Sequence, residues 1–159
     1  MSRSRAALAA LCALLGLTAA MPAASAQAAA ATLTWTAPQS VDPLRGGLAS
    51  VTCVSASFCL AGSQNGSTAT YNGTKWGEPV SVFADNSGMG SLSCLSATFC
   101  AGANVSREGS YRPMIFDGTT WTTGAYVEGI GAGGVSCVST KFCLIVDNEG
   151  RFQRYNGTS

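Results

Sequence analysis

The chain has 159 residues, of which nine are basic, eight are acidic and none is histidine. This balance leaves neither a basic stripe nor a run of like charge, so the composition argues against a nucleic-acid partner and an anionic membrane partner. The lack of histidine excludes Ser-His-Asp and Cys-His nucleophiles and any His-ligated metal site.

The first 28 residues have the three parts of a secretory signal peptide. MSRSR is basic, residues 6–20 are rich in Ala and Leu, and AASAQA supplies an A-x-A cleavage site. The apolar run is too short for a membrane span. We therefore expect cleavage after Ala26 or Ala28 and a secreted, extracellular protein, with Cys12 removed together with the peptide.

The six remaining cysteines form three pairs, and the partners of each pair are separated by five residues. The stretch SVTCVSASFC from Ser50 returns as SLSCLSATFC from Ser91 and as GVSCVSTKFC from Gly134. An even number of cysteines in an exported chain favours disulfides, and this spacing differs from that of zinc sites. We predict no metal and no cofactor. The predicted bridges are Cys53–Cys59, Cys94–Cys100 and Cys137–Cys143.

Each cysteine pair is followed by a glycine turn, a strand that ends in an aromatic residue, and a second glycine turn. The first turns are QNG, REG and NEG, and the later segments are TYNGTKW, IFDGTTW and RYNGTS. Asn-Gly is a strong hairpin signal because primed turns need positive φ. A four-stranded antiparallel unit that repeats about every 42 residues is typical of a β-propeller blade.

The pattern S-V-S-C-x5-C, followed by Y-[ND]-G-T-x-W, resembles the repeat of secreted propeller-like proteins that are common in actinobacteria. Its turn is similar to the turns of kelch and Asp-box propeller repeats. The resemblance covers residues 33–159 and implies an all-β fold of three four-stranded antiparallel blades, with repeats at about 35–75, 76–120 and 121–159. Propellers host lectins, hydrolases, lyases and scaffolds, so this resemblance does not fix the function.

The two ends of the repeat domain complement each other in sequence. The third copy reaches YNGTS from Tyr155, where the other copies continue into a Trp strand, and LTWT from Leu33 offers such a strand. We expect this segment to complete the third blade. Three blades are few for a propeller. Two arrangements stay open: a homodimer that forms a six-bladed ring, or a piece of a longer gene product.

The acidic residues fall in predicted turns and loops. Glycoside hydrolysis needs two carboxylates that face one cleft, and a sialidase needs clustered arginines with a tyrosine nucleophile, and the sequence places neither. We interpret the carboxylates as solvated turn residues and predict no catalytic residue. The residues considered are Asp85, Glu108, Asp117, Glu128, Asp147 and Glu149.

Aromatic residues are the remaining indication of function. Trp35, Trp76 and Trp121 recur once per repeat, and Tyr126 begins a glycine-rich connection between repeats. Exposed Trp and Tyr rings stack on sugars, although residues at fixed blade positions also pack blade against blade. We predict a non-catalytic binding module for a glycan or an extracellular protein that uses these four residues. The alternatives are a scaffold piece of a larger propeller, and an extracellular glycosidase or lyase.

Overall fold

The computed structural model describes residues 32–41, 46–83, 87–129 and 131–158. The chain divides into two units, Met1–Ala37 and Pro38–Ser159. Residues 32–37, the described part of the first unit, form no strand. Across the described ranges there is no helix long and apolar enough to cross a membrane. The predicted signal peptide and Asp85 lie outside the described residues.

Eleven strands are present in the described part of the second unit. They are β1 Leu48–Ser55, β2 Phe58–Ser63, β3 Ser67–Tyr71, β4 Val80–Ser81, β5 Gly88–Ser96, β6 Phe99–Val105, β7 Tyr111–Phe116, β8 Trp121–Thr123, β9 Ala132–Ser139, β10 Phe142–Asp147 and β11 Phe152–Tyr155. They form three antiparallel sheets, ordered β1-β2-β3-β4, β5-β6-β7-β8 and β9-β10-β11. We call these sheets blades 1, 2 and 3. The all-β prediction is confirmed.

The first hairpin of each blade carries its cysteine pair at directly opposed positions. In an antiparallel ladder such positions bring the Cα atoms close enough for a sulfur bridge. The Cα atoms of each bridged pair are 4.0 Å apart. The three predicted disulfides are therefore confirmed: Cys53–Cys59, Cys94–Cys100 and Cys137–Cys143.

Two glycine turns recur in every blade with the same backbone sign. Positive φ is strained for residues with a Cβ and costs glycine little, so the sequence repeat has a conformational cause. The φ angles of these six glycines lie between 78° and 100°. They are Gly66, Gly109 and Gly150 before the third strand, and Gly73, Gly118 and Gly157 after it.

The second turn is held by the side chain of its Asn or Asp. The Oδ1 of Asn72 accepts the backbone N–H groups of the second and third residues after it, at 3.0 Å. Asp117 makes the same contacts with Thr120 and Thr119 at 2.8 Å. Hydrogen bonds from the backbone of Thr120 and then of Thr119 hold the pKa of Asp117 well below its usual range. This carboxylate is used to close the turn.

Neighbouring blades pack face to face and bury the core between them. Blades 1 and 2 enclose Leu60, Met89, Leu92, Cys100 and Met114, with Phe58, Val82, Phe83, Cys94, Phe116 and Trp121 packed around these residues. Blades 2 and 3 enclose a smaller cluster of Ala103, Tyr111 and Ile145, with Val105, Val127, Ala132 and Val135 around it. The larger cluster makes the first of these two contacts the better packed.

The first strands of successive blades are also joined by hydrogen bonds from backbone to side chain. Cys94 N–H donates to Thr52 Oγ1 at 3.1 Å, and Cys137 N–H donates to Ser93 Oγ at 3.0 Å. One such bond contributes about 1 kcal/mol net. In blades 1 and 2 the hydroxyl residue before the first cysteine is thus the acceptor in a joint to the next blade.

The closing strand expected at residues 33–36 is not found. The described residues 32–41 belong to no strand, and the side chain of Trp35 is 93% exposed. After Tyr155 the described residues comprise only the glycine turn, residues 156–158. Among the described residues blade 3 therefore has three strands rather than the expected four, and β11 is its outer strand.

Replacing Gly62 with alanine should destabilise the joint between blades 1 and 2. A Cβ at this position would lie 2.7 Å from Met89 Cβ, and Met89 is fully buried. Overpacking of this kind costs about 1–3 kcal/mol, so Gly62→Ala should lower the melting temperature. Gly77→Ala is the control, because its nearest neighbours, atoms of Thr70, are 3.5 Å away. Equal melting temperatures for both variants would contradict this packing.

Removing the disulfide of blade 2 should lower the free energy of unfolding more than removing the disulfide of blade 1. Each double alanine variant loses about 2 kcal/mol of loop-closure stabilisation. Cys100 is 0% exposed and belongs to the core, so Cys94→Ala with Cys100→Ala also leaves a cavity. Cys53→Ala with Cys59→Ala is the matched comparison. Denaturant unfolding measures both, and equal losses of stability would mean that the bridge of blade 2 adds no packing.

Candidate binding cleft beside the third blade

A cleft of about 770 Å³ opens between the outer strands of blades 2 and 3. Blade 2 contributes Pro113 and Ile115 from β7, and blade 3 contributes Ile145 from β10 and Gln153 from β11. Residues 122–127 form a further wall. The volume lies in the range of small-ligand sites, and the lining is mainly apolar with few polar groups.

The corresponding space between blades 1 and 2 is filled by side chains. Met114 and Phe116 of β7, together with Trp121 of β8, pack against the core there. The strand register places Gln153 and Tyr155 of blade 3 at the positions of Met114 and Phe116. No described strand follows β11. The cleft is therefore the volume that a fourth strand and its aromatic residue occupy in blade 2.

The outer edge of β11 adjoins this cleft. In blade 2 the same edge of β7 pairs with β8, which sets Phe116 opposite Trp121. Among the described residues no strand pairs with the outer edge of β11. Such an edge presents unpaired backbone N–H and C=O groups. The site thus combines a backbone edge with an apolar cavity, because Gln153 and Tyr155 also line the cleft.

Asp147 fixes the turn that leads into β11. Its side chain is 1% exposed. Asp147 Oδ1 accepts the backbone N–H groups of Arg151 at 2.9 Å and Glu149 at 3.0 Å, and its Oδ2 accepts Arg151 Nε at 2.7 Å. Arg151 Nη2 also donates to the backbone oxygen of Glu128 at 2.9 Å. This network connects β11 to the segment that carries Tyr126.

The charges in this network stabilise one another. Burial raises the pKa of Asp147, but hydrogen bonds from Arg151 and Glu149 outweigh burial, so its pKa lies below the ordinary value. The hydrogen bond to Asp147 raises the pKa of Arg151. Burial, and then the charge of Asp147, raises the pKa of Tyr111. Asp147 and Arg151 therefore form an ion pair at neutral pH that orders the turn.

Tyr126 lies at the rim of the cleft and is 44% exposed. The guanidinium carbon of Arg112 lies over its ring, 3.7 Å from the centroid. A cation in this position is attracted to the electron-rich ring face and holds the ring in place. Tyr126 is the one residue of the four predicted for ligand binding that lines the cleft.

The predicted tryptophans lie elsewhere. Trp121 stacks on Phe116 with centroids 5.0 Å apart, and Trp76 lies 5.4 Å from Tyr71. Both are half-buried, and Trp121 also packs against the core between blades 1 and 2. Trp35 is exposed and belongs to no strand. Sequence reasoning did not single out Gln153 or the outer edge of β11. The signal that could have found the cleft is the polar Gln153 at the repeat position that Met114 holds in blade 2.

The part of the chain that the structure describes has no cluster of three or more His, Cys, Asp or Glu side chains that could hold a metal ion. Three of the acidic residues that the sequence analysis interpreted as turn residues make hydrogen bonds or ion pairs in the structure. Asp117 closes a turn, and Asp147 and Glu149 pair with Arg151. The non-catalytic interpretation stays a prediction.

No protein-family model and no curated protein matches the chain. Among solved structures, the chain is similar to YCF48 bound to D1 peptide, with a TM-score of 0.59 and 15% identity over 74% of this chain and 40% of that one. That structure is a β-propeller, and the predicted propeller-like fold is confirmed. This chain spans 40% of its length. The computationally designed Ika4 protein aligns over 76% of this chain and 99% of its own, at 10% identity and a TM-score of 0.40, too low for any argument.

The lowered pKa of Asp147 predicts that the stability of the fold decreases at acidic pH. A carboxylate with a depressed folded-state pKa stabilises the fold above its unfolded-state pKa of about 4, and this contribution is lost as pH falls through the folded-state value. The wild-type melting temperature should therefore fall below about pH 4. Asp147→Asn should melt lower at pH 7 and show a smaller acid decline.

Asp117→Asn is the matched control for this experiment. Asn72 forms the same turn with an amide, so this variant should lose less melting temperature at pH 7 than Asp147→Asn does. It should also show a somewhat smaller acid decline than the wild type, because the pKa of Asp117 is lowered as well. An unchanged melting temperature and acid profile in Asp147→Asn would show that the buried ion pair does not order the turn.

Proposed function

We propose that this chain is a secreted propeller module that binds an extracellular protein by accepting an extended segment of it as the fourth strand of blade 3. The observation that carries the proposal is the outer edge of β11, which no described strand pairs with and which lies beside an apolar cleft. The three disulfides suit an oxidising, extracellular compartment.

Backbone pairing would supply the affinity of this complex. A peptide that adds to a sheet edge gains main-chain hydrogen bonds, while pockets beside the edge select its side chains. The edge of β11 is four residues long, and β7 shows the geometry of the added strand by pairing with β8 in blade 2. An extended segment of about four residues therefore fits this edge.

The cleft would supply the selectivity. In blades 1 and 2 the residue opposite the aromatic end of the third strand is a tryptophan, as in Tyr71 opposite Trp76 and Phe116 opposite Trp121. Tyr155 occupies that end in blade 3. We expect the bound segment to place a Trp or Tyr opposite Tyr155, with its ring in the cleft.

Two further observations favour a protein ligand over a glycan. The cleft walls are built largely of apolar side chains such as Pro113, Ile115 and Ile145, whereas sugars need several hydrogen-bonding groups. The structure of YCF48, which shares this fold, contains a bound peptide.

A fluorescent peptide with the sequence TTWTTGAY, residues 119–126 of this chain, tests the proposal because it reproduces the fourth strand of blade 2. It should bind the folded protein, and the same peptide with Ala in place of Trp should bind at least about tenfold more weakly, a change of about 1.4 kcal/mol. Ile115→Glu should weaken binding by a similar factor, because it places a charge in the cleft.

Phe152→Glu is the control variant. Phe152 lies on β11 but is 70% exposed on the face opposite Gln153, so this change should leave peptide binding intact. Absence of peptide binding to the folded chain would overturn the proposal, as would equal losses in Ile115→Glu and Phe152→Glu. Glycan-array binding that Tyr126→Ala abolishes would favour a glycan ligand instead.

A further inference from the structure

The outer faces of blades 1 and 3 carry the same positions through which neighbouring blades join. In the two observed joints, Thr52 and Ser93 accept hydrogen bonds from the first cysteine of the next blade. The third residue of this series is Ser136, which precedes Cys137 and is exposed. The first donor position of the series is the backbone N–H of Cys53 in β1. The chain therefore contains both the acceptor, Ser136, and the donor, the Cys53 N–H, of one more such hydrogen bond between blades.

The apolar part of the joint recurs on blade 1. The strand register makes Leu48 and Val51 the counterparts of Met89 and Leu92 in blade 2. Met89 and Leu92 face blade 1 and are 0% and 8% exposed, whereas Leu48 and Val51 are 44% and 61% exposed. The same positions are thus buried where another blade lies against them and open on blade 1.

Blade 3 carries the complementary surface. Val146 and Phe152 are paired in the ladder, so they share one face, and they are 48% and 70% exposed. By register, Val146 is the counterpart of Gly62 in blade 1 and of Ala103 in blade 2. Gly62 contacts Met89 of the next blade, and Ala103 is 0% exposed between blades 2 and 3. A further joint would therefore set Val146 against a residue at the position of Leu48.

We infer that blade 3 of one chain docks on blade 1 of a second copy, with both such contacts made in a two-chain ring of six blades. A second copy fits because it presents the donor and the apolar residues that continue the observed joints. A head-to-tail contact of this kind closes when two copies are related by a twofold axis. Val41 and Pro79 line a small space together with Leu48 and Ala61 on this face of blade 1. Leu48 and Val51 of β1 are still 44% and 61% exposed, so the docking strip is β1.

Charge exchange between two variants tests this contact. The wild-type chain, disulfide-bonded and folded, should sediment at twice the monomer mass, whereas Val146→Glu alone and Leu48→Lys alone should be monomers. Mixing the two variants should restore a dimer, because one contact then sets the introduced glutamate of one chain against the introduced lysine of the other, and the second contact is wild type on both sides. Ser136→Ala should weaken dimerisation by about thirtyfold, because each of the two contacts in the ring loses one neutral hydrogen bond.

Val80→Glu is the control, because Val80 is 64% exposed but lies in β4, the outermost strand of blade 1. This variant should remain dimeric, and circular dichroism should show every variant folded. A wild-type chain that is monomeric at all concentrations overturns the inference. So does an open series of larger assemblies, or a mixture of the two charged variants that stays monomeric.

Discussion

The structure depends on the burial of one blade face against the next. A small twisted sheet cannot bury both of its faces alone, so repeats of this kind gain stability from contacts with their neighbours. Met89 and Leu92 are buried because blade 1 lies against them, while Leu48 and Val51 occupy the same positions in blade 1 and are exposed. The local disulfides reduce the stability that each small sheet must obtain from such contacts.

The cleft follows from the same geometry. Blades that pack closely at their first strands leave more space between their outer strands, and that space must be filled by large side chains or stay open. Between blades 1 and 2 it is filled by Met114, Phe116 and Trp121. Between blades 2 and 3 the counterpart of Met114 is Gln153, and the space beside it is open. This one difference in side chain, together with the unpaired edge of β11 in the described part of blade 3, creates the candidate site.

A propeller fold leaves function to the surfaces grafted on it. The described residues present two surfaces of different chemistry at which the pattern of the neighbouring blades is not continued. The edge of β11 offers backbone hydrogen-bonding groups and a cavity, whereas the faces of blades 1 and 3 offer apolar side chains and single hydroxyl or N–H groups. An extended peptide suits the first and a folded sheet suits the second.

The sequence alone determined the features that depend on neighbouring residues. Cysteines six positions apart across a hairpin, glycines at positive φ and the Asn or Asp of each turn are local, so their repetition predicted the strands, the bridges and the blades. Only the tertiary structure decided the contacts between residues about forty positions apart. Thr52 accepts a hydrogen bond from the Cys94 N–H, and Trp121 packs between blades 1 and 2. The structure also decided that the segment at residues 33–36 forms no strand. Whether a repeated residue faces a neighbour or solvent depends on the neighbour's presence, and a single repeat does not encode that.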